Sequence, residues 1–318
     1  MAAAASLAAR ARPVSRPNPG VAAIIVRDGV VISRGWTAAG GRPHAEAVAL
    51  EAAGSAARGA TLYVTLEPCA HQSPRGPACA DIVAASELAR VVIGCPDPDP
   101  RTAGAGIARI RAAGIAADLC DSPACRQSLS GYLTLRRKNR PEVTLKLALS
   151  LDGCIALANG ESQWITGALA REHCHAMRAK ADAILVGAGT LRADSPRLDV
   201  RLVGLGDRSP QRWVLTRGDA PSGWSALSSP QAVHSMADTQ YLFVEGGAKT
   251  AAAFLGAGLV DKLLIYRAPI LIGGGLPGVS DIGLTALADA HGQWQQVDRR
   301  ALGSDTLEVY ERVACSQE

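Results

Sequence analysis

Pro43-His44-Ala45-Glu46 and Glu67-Pro68-Cys69, followed by Cys79 after nine intervening residues, are the stretches that decide the fold of the first half of the chain. A proline just before a helical pattern is typical of a helix start, so we expect His44 at the beginning of a helix. Pro68 and Cys69 follow an apolar segment that predicts a buried strand, and a helix is expected from about Ala78. Two helix starts of this kind can converge on one ion.

The surrounding residues alternate between strand and helix patterns. Residues 21–26 and 30–36 flank the turn Arg27-Asp28-Gly29 and predict a β-hairpin. The other elements predicted in this half are strands at 61–66 and 91–94 and helices at 45–53, 78–89, 107–113 and 122–137. This alternation indicates an α/β fold.

One imidazole and two thiolates form a zinc site that leaves a fourth position for water and lowers the pKa of that water towards about 7. We therefore predict His44, Cys69 and Cys79 as zinc ligands. Attack on an amidine-like ring carbon also needs a group that carries the water proton to the departing ammonia, and Glu46 is our candidate. The alternative is a closed zinc site that only stabilises the fold, or a chance set of buried residues.

These residues match the H-x-E and P-C-x-x-C signature of the cytidine-deaminase-like superfamily, which implies a three-layer domain with a non-ligand glutamate as acid and base. The usual gap between the cysteines is two residues, whereas this chain has nine. The longer gap resembles the deaminases of riboflavin biosynthesis, and it is one residue longer than their commonest form. That resemblance implies substrate contacts at Asn18, His71 and Arg75, with Arg75 facing a phosphate.

A second resemblance in this half concerns Asp97-Pro98-Asp99-Pro100, which is similar to a family D-P-N-P segment near the substrate. Asp99 stands where asparagine is common. Without the family resemblance, Asn18 would be interpreted as part of a turn, and His71 and Arg75 as surface-loop residues.

The basic stretch from Arg136 to Pro141 interrupts the pattern and precedes a new strand at 143–149. We place the domain boundary there, with a deaminase domain at 1–142 and a second domain at 143–318. Further strands are predicted at 183–187, 213–215, 241–244 and 263–272.

The second half resembles the reductase domain of the same pathway, an α/β relative of dihydrofolate reductase. The resemblance rests on the segments 146–153, 160–166, 186–201, 244–247 and 271–275. It implies NADPH contacts at Ala148, Trp164, Thr190, Asp194, Gly247, Ala248, Lys249, Thr250, Ala251, Ala252 and Ala253. It implies substrate contacts at Lys146, Ser162, Arg178, Leu198, Arg201 and Glu245.

Glu245-Gly246-Gly247 follows a buried strand pattern and opens a helix, where free N–H groups and the helix dipole favour a phosphate. No G-x-G-x-x-G follows the first strand of this domain, so a conventional Rossmann half is not indicated. The family often has Asp-Ser where this chain has Thr216-Arg217. His173-Cys174-His175 is interpreted as helix surface, because its two histidines point about 200° apart on a helix.

Composition limits the partners and the location. The 318-residue chain has a net charge of +4 without a block of basic residues, so nucleic-acid binding is not indicated. No run approaches the ~20 apolar residues of a membrane span, and residues 1–12 predict an amphipathic helix instead of a secretion signal. Eight cysteines without such a signal favour reduced thiols, hence a cytoplasmic protein. We also expect a homo-oligomer.

Together these observations predict a bifunctional enzyme of riboflavin biosynthesis that uses zinc and NADPH on a phosphorylated pyrimidine. One rival is a nucleic-acid base deaminase with a fused accessory domain, which the second domain and the absence of a basic stripe oppose. A second rival is a non-catalytic, zinc-stabilised sensor of pyrimidine phosphates, which Glu46 opposes.

Overall fold

The computed structural model describes residues 1–313, and these form two compact units divided between Asn139 and Arg140. Cys315, one of the cysteines expected to be an ordinary thiol, lies outside the described residues. Each unit has its own sheet and its own core.

The first unit is a five-stranded sheet with helices on both faces. Its strands stand in the order β2-β1-β3-β4-β5, with β1 antiparallel to β2 and β3 and the last three strands parallel. Its elements are α1 (Ala2–Ala8), β1 (Ala22–Arg27), β2 (Val30–Trp36), α2 (Ala45–Ala53), β3 (Thr61–Val64), α3 (Cys79–Ala84), β4 (Arg90–Ile93), α4 (Ala105–Ala112), β5 (Ala116–Leu119), α5 (Pro123–Ser128) and α6 (Ser130–Lys138).

Alternation along β1 explains the layers, because successive strand residues face opposite sides of a sheet. Ala22 and Ile24 pack with Leu7 of α1 on one side. Ala23 and Ile25 belong to the larger core on the other side, which also contains alanines of α2 and α3. Small side chains therefore bring helices close to the sheet on both faces.

The second unit is built on an eight-stranded sheet in the order β10-β9-β8-β11-β6-β12-β15-β14, accompanied by the two-stranded pair β13-β7. Its elements are β6 (Glu142–Leu149), β7 (Cys154–Ala156), α7 (Ala168–Arg178), β8 (Ala183–Gly187), α8 (Ala188–Asp194), β9 (Gln211–Leu215), β10 (Ser225–Leu227), β11 (Tyr241–Val244), α9 (Ala248–Gly256), β12 (Lys262–Arg267), β13 (Leu276–Pro277), β14 (Trp294–Leu302) and β15 (Asp305–Arg312).

The strands from β10 to β12 run parallel, and β15 and β14 complete the sheet in antiparallel pairing. The carboxyl ends of β8 and β11 therefore lie side by side, and each strand leads directly into a helix N-terminus, that of α8 or α9. Ligands of parallel α/β sheets bind at this edge.

Three predicted elements differ from the structure. The helix expected at 78–89 ends at Ala84, and Glu87 beyond it has a φ of 54°, which a right-handed helix does not allow. The helix expected at 122–137 is two helices that meet at Leu129. The strand expected at 263–272 ends at Arg267, two residues before Pro269, which has no N–H for a sheet ladder.

Candidate active sites

The first site is a cluster of three metal-ligating side chains at the N-termini of α2 and α3. His44 stands immediately before α2, and Cys79 is the first residue of α3. The His44 Nδ1 atom lies 3.1 Å from Cys79 Sγ and 3.6 Å from Cys69 Sγ. Tetrahedral zinc with one nitrogen and two sulfur ligands needs ligand separations of about 3.6–3.8 Å. The donor set fits zinc, and the 3.1 Å pair would have to separate by about half an ångström around a bound ion. This is the one such group found among residues 1–313.

Hydrogen bonds within the cluster favour a thiolate at Cys69. The Cys79 thiol donates to the Cys69 sulfur and, although burial opposes this effect, the pKa of Cys69 falls to about 4. The backbone N–H of Cys79 donates to the same sulfur at 3.3 Å. The pKa of Cys79 is raised, because its proton serves as that donor. Thiolates are the form in which cysteines bind metals.

Glu46 lies in the first turn of α2, two residues beyond His44, and its side chain is buried. Burial raises the pKa of this carboxyl, and the nearby His44 opposes that shift. Glu46 and His44 line the same cavity of about 220 Å³. The geometry therefore places an acid/base group beside the predicted metal without making it a ligand.

The substrate residues predicted for this unit line the same cavity, namely Asn18, His71 and Arg75. The Nδ1 atom of His71 is buried and has no hydrogen-bond partner in the described part of the chain, so it is available to a ligand. The side chain of Asn18 has a further contact that the sequence did not predict, since its Nδ2 lies 2.8 Å from His44 Nε2. A partner on the second imidazole nitrogen orients a metal-binding histidine.

A buried carboxylate supports the strand end that carries Cys69. Glu67 accepts hydrogen bonds from the backbone N–H groups of Gly104, Gly106 and Ile107, at 3.1–3.2 Å. A Cβ on Gly106 would lie 2.1 Å from the Pro68 carbonyl oxygen, so only glycine lets α4 approach this closely. The N-terminus of α4 is thereby fixed against the segment of the metal ligand.

Among the cavity residues that were not predicted as site residues, five polar side chains interact with one another. Asp97 and Asp99 lie in the segment that resembles the family pattern, and the Tyr132 hydroxyl donates to Asp97 at 2.7 Å. Arg101 and Arg136 both contact the carboxylate of Asp99. The two arginines carry no sequence signal of their own, because they reach the cavity only through the packing of α6 and of the loop before α4.

The second site is a cavity of about 600 Å³ at the carboxyl edge of the second sheet. It is lined by most of the residues predicted for the reductase, namely Lys146, Ala148, Ser162, Trp164, Arg178, Thr190, Asp194, Leu198, Arg201, Glu245 and Gly247. Residues 248–253 do not line it; they form α9, in which Thr250, Ala251 and Ala252 are buried. Only the N-terminus of this helix meets the cavity.

Glu245 is a buried carboxylate held between two cations. Arg178 donates to its two oxygens at 2.6 and 3.0 Å, and Lys146 Nζ lies 3.7 Å away. Burial alone would raise the pKa of Glu245, but Lys146 and Arg178 outweigh it and lower this pKa to about 2. Arg178 also donates to the Asp199 carbonyl at 3.0 Å, so its guanidinium is largely engaged by the protein.

The residues at the edge of the second sheet fit a dinucleotide. A Cβ on Gly246 would lie 2.4 Å from Thr250 Cβ, and one on Gly187 would lie 2.2 Å from Thr250 Oγ1. These glycines therefore let α9 begin directly beside the ends of β8 and β11. The helix has no side-chain cap, which leaves N–H groups at its first turn for a phosphate.

The histidines of α7 are not the surface residues that the sequence suggested. His173 Nδ1 lies 2.8 Å from the Tyr266 hydroxyl, and His175 faces the second cavity, where its Nδ1 lies 3.1 Å from the Asp199 carbonyl. Both are half-buried.

Among residues 1–313, no helix has the length and apolar character needed to cross a membrane.

The two sites define a zinc-dependent deaminase joined to a reductase. Residues 1–95 match the family model of the cytidine and deoxycytidylate deaminase zinc-binding region, and residues 141–307 match that of the RibD C-terminal domain. The riboflavin biosynthesis protein RibD of Escherichia coli strain K12 is 37% identical over 96% of both chains. The corresponding protein of Mycobacterium tuberculosis strain H37Rv is 36% identical over 92% of this chain and 90% of its own.

Solved structures agree with these relatives. Acinetobacter baumannii RibD superimposes with a TM-score of 0.87 at 32% identity, covering 98% of this chain and 97% of the other. A Thermotoga maritima protein described as a diaminohydroxyphosphoribosylaminopyrimidine deaminase/5-amino-6-(5-phosphoribosylamino)uracil reductase gives 0.86 at 31% identity, with the same coverage. The chain belongs to the RibD family of riboflavin biosynthesis proteins. The predicted fold class, bifunctional activity, zinc and NADPH are confirmed.

Proposed function

We propose that this chain catalyses two consecutive reactions, one in each half. Residues 1–142 hydrolytically deaminate 2,5-diamino-6-(5-phosphoribosylamino)pyrimidin-4-one, and residues 143–318 then reduce the ribosyl side chain of the product to ribityl with NADPH. The observation that carries the proposal is the cluster of His44, Cys69 and Cys79, of which His44 and Cys69 line one cavity with buried Glu46. The other unit has a separate cavity around Lys146 and Glu245.

In the deamination, a ring C–N bond breaks, a C–O bond forms, and a proton from water must reach the departing amine. His44, Cys69 and Cys79 would hold a zinc ion, which would supply an activated water at neutral pH. Glu46 takes the proton on its carboxylate oxygen and passes it to the amino nitrogen, which leaves as ammonia. Its burial in the cavity supports this role, because bulk water does not compete for the proton.

The substrate contacts of this half follow from the walls of the first cavity. We assign Asn18 and His71 to the edge of the pyrimidine, since both line the cavity and the buried Nδ1 of His71 has no hydrogen-bond partner in the described part of the chain. We assign Arg75 to the phosphate, because it is an exposed cation on the loop between the two cysteines. A guanidinium pairs well with phosphate oxygens.

In the reduction, a hydride adds to the ribose carbon bonded to nitrogen, the bond from that carbon to the ring oxygen breaks, and this oxygen takes a proton. NADPH supplies the hydride. Lys146 is our candidate proton donor, because its ammonium lines the cavity and is held 3.7 Å from Glu245. Arg178 fixes Glu245 from the other side, and the more exposed Arg201 is left to meet the substrate phosphate.

We assign the remaining predicted residues by position. Ala148, Trp164, Thr190, Asp194 and the segment 247–253 contact NADPH, and Ser162 and Leu198 contact the substrate. Support comes from their common cavity and from the helix N-terminus at Gly247.

The test is to incubate the zinc-loaded protein with the diaminopyrimidine ribosylamine phosphate and to follow ammonia release and NADPH absorbance separately. We expect ammonia without NADPH, and NADPH oxidation only after deamination. Absence of ammonia release from fully zinc-loaded protein would refute the assignment of the first half, and absence of NADPH oxidation with pre-deaminated substrate would refute that of the second.

We also propose a cytoplasmic homo-oligomer. The seven cysteines among the described residues are unpaired, which supports a reducing compartment. Val203, Leu271 and Leu287 of the second unit are strongly exposed and are surface that an assembly would cover. Light scattering of the purified protein tests the assembly, which a monomeric mass would contradict.

A further inference from the structure

Two loops of the first unit are joined by a reciprocal pair of arginine contacts. We name residues 38–44 the His44 loop and residues 70–78 the inter-cysteine loop. Arg42 of the His44 loop donates from Nη1 to the Pro77 carbonyl at 3.2 Å. Arg75 of the inter-cysteine loop donates from Nη2 to the Gly40 carbonyl at 2.5 Å. Each loop thus supplies a guanidinium to the backbone of the other.

Two glycines make room for side chains that reach these loops, Gly76 for Arg42 and Gly41 for Asn18. Gly76 has a φ of +137°, and a Cβ there would lie 3.0 Å from Arg42 Nη1. Gly41 has a φ of +88°, and a Cβ there would lie 2.8 Å from Asn18 Cγ. The backbone of each loop is therefore shaped to receive a polar side chain from another segment.

Asn18 holds the His44 loop from the opposite side. Its Nδ2 donates to the Gly41 carbonyl at 2.8 Å and lies at the same distance from His44 Nε2. The His44 loop is thus bounded by a predicted substrate residue on one side and by the inter-cysteine loop on the other. Arg42 is two residues before the metal ligand His44, so its position affects the backbone that enters the site.

The metal ligands Cys69 and Cys79 fix the two ends of the inter-cysteine loop, and a tight turn in which the Gly76 N–H donates to the Ser73 carbonyl at 3.0 Å shapes its middle. Neither of these contacts ties the middle of the loop to the His44 loop, which the arginine contacts do. Nine residues lie between these ends. Holding a flexible segment in one conformation costs about 1–2 kcal/mol per residue in backbone entropy. A contact near the middle of the loop reduces the freedom that substrate binding would otherwise have to remove.

We propose that Arg42 and Arg75 form a clasp that holds the inter-cysteine loop over the first cavity, with Arg42 a positioning residue for deamination. This inference rests on the proposed deaminase function. Arg42 acts through Arg75 and His71, which the clasp keeps at the cavity wall. Both contacts are at the surface, so their effect falls on substrate binding more than on global stability.

The first experiment compares Arg42→Ala with wild type and with Arg58→Ala, which removes another arginine of the same unit from a surface ion pair with Glu87. We expect Arg42→Ala to raise the KM of deamination roughly threefold to tenfold, the size expected from losing one hydrogen bond. We expect kcat, zinc content and NADPH oxidation on pre-deaminated substrate to stay within about twofold of wild type, and Arg42→Lys to recover part of the loss. Arg58→Ala should match wild type.

A double-mutant cycle tests whether the two arginines act together. If they form one clasp, adding Arg42→Ala to Arg75→Ala raises KM by less than it does alone. Full additivity, or a KM of Arg42→Ala equal to that of wild type, overturns the clasp. Wild-type deamination would be unaffected by that result, so failure of the clasp is distinguishable from failure of the proposed function.

A second readout does not depend on activity. Trypsin cleaves after arginine, and the clasp restrains the Arg75–Gly76 bond. We expect cleavage at this bond in the zinc-loaded protein to be several-fold faster in Arg42→Ala than in Arg58→Ala, because a freed loop enters the protease more readily. Equal cleavage rates would contradict the clasp even if KM changed.

Discussion

Each of the two sites contains a buried glutamate, and the pKa values of the two carboxyls are shifted in opposite directions. Burial raises the pKa of Glu46 in the first cavity. Burial acts on Glu245 in the same direction, but Lys146 and Arg178 lower its pKa to about 2. The difference lies in the neighbours, since one carboxyl stands beside metal ligands and the other beside permanent cations.

The protein uses a buried carboxyl in two ways. The charge of Glu245 is set by the chain itself, so it can serve as a constant support for Lys146. For Glu46, burial is the largest influence and raises the pKa, and His44 beside it opposes that shift. The environment of Glu46 suits a group that must gain and lose a proton, because no permanent ion pair within residues 1–313 fixes its charge.

Replacing Glu46 by glutamine is the strongest test of this contrast. The amide keeps the shape of the side chain but cannot carry the proton, so we expect deamination to fall by about 10²–10⁴-fold. Zinc content should be unchanged, because Glu46 is not a ligand, and NADPH oxidation on pre-deaminated substrate should survive. Glu51→Gln, an exposed position on the same helix, is the control. Loss of both activities together would show that the two sites are not separate.

Lys146→Met tests the cation that stands beside Glu245 in the second site. It removes the proposed proton donor while leaving Glu245 paired with Arg178. We expect kcat of reduction to fall roughly 10²-fold, as for loss of an acid catalyst, and ammonia release to be unchanged. Lys180→Met, an exposed position of the same unit, controls for loss of charge. A variant that reduces at the wild-type rate would exclude Lys146 as the donor.

The two sites also differ in how far the sequence could predict them. The first cluster depends on a few residues at helix starts, and local patterns place those starts to within one residue, at Ala45 and Cys79. The metal chemistry then follows from the residue types. The contact between Asn18 and His44 was not predictable, because it joins segments that pattern arguments treat separately.

The second site is assembled from side chains distant in sequence, and no single segment carries its chemistry. Residue types did not predict the pairing of Arg178 with Glu245, which are 67 residues apart. Resemblance indicated both residues, but as substrate contacts, whereas the structure shows that they bind each other. Element ends were the weakest predictions, as at Ala84 and Arg267, where backbone φ or a nearby proline ends the element.

Gly246→Ala tests the N-terminus of α9, where the family resemblance implies contacts with NADPH. The added methyl would lie 2.4 Å from Thr250 Cβ, so α9 has to move away from the end of β11. We expect the KM for NADPH to rise about tenfold and the free energy of unfolding to fall by about 1–3 kcal/mol, as in other overpacked sites. Gly206→Ala is the control, because a Cβ there meets nothing within 4 Å. An unchanged KM for NADPH would place the cofactor phosphates elsewhere.

Replacing Asp99 is expected to give the smallest effect. It tests whether an arginine-paired carboxylate of the first unit stays charged, as Glu245 does in the second. Hydrogen bonds from Arg101 lower its pKa to about 2, against the opposing effect of burial. Since the folded pKa lies below the unfolded value of about 3.9, its stabilising contribution is present above that value and is lost as the pH falls towards 2. Arg101 is 57% exposed, so solvent screening limits the contribution to about 1 kcal/mol.

We therefore expect Asp99→Asn to lower the free energy of unfolding at pH 6 by about 1 kcal/mol and by less than half of that at pH 2.5. Urea unfolding of wild type and variant at both pH values measures the difference. Asp81→Asn, which removes a more exposed ion pair with Arg109, should have a smaller effect at pH 6. If the loss of unfolding free energy in Asp99→Asn does not change with pH, Asp99 contributes through shape and neutral hydrogen bonds. Asp99 would then not act as a charged partner of arginine in the way that Glu245 does.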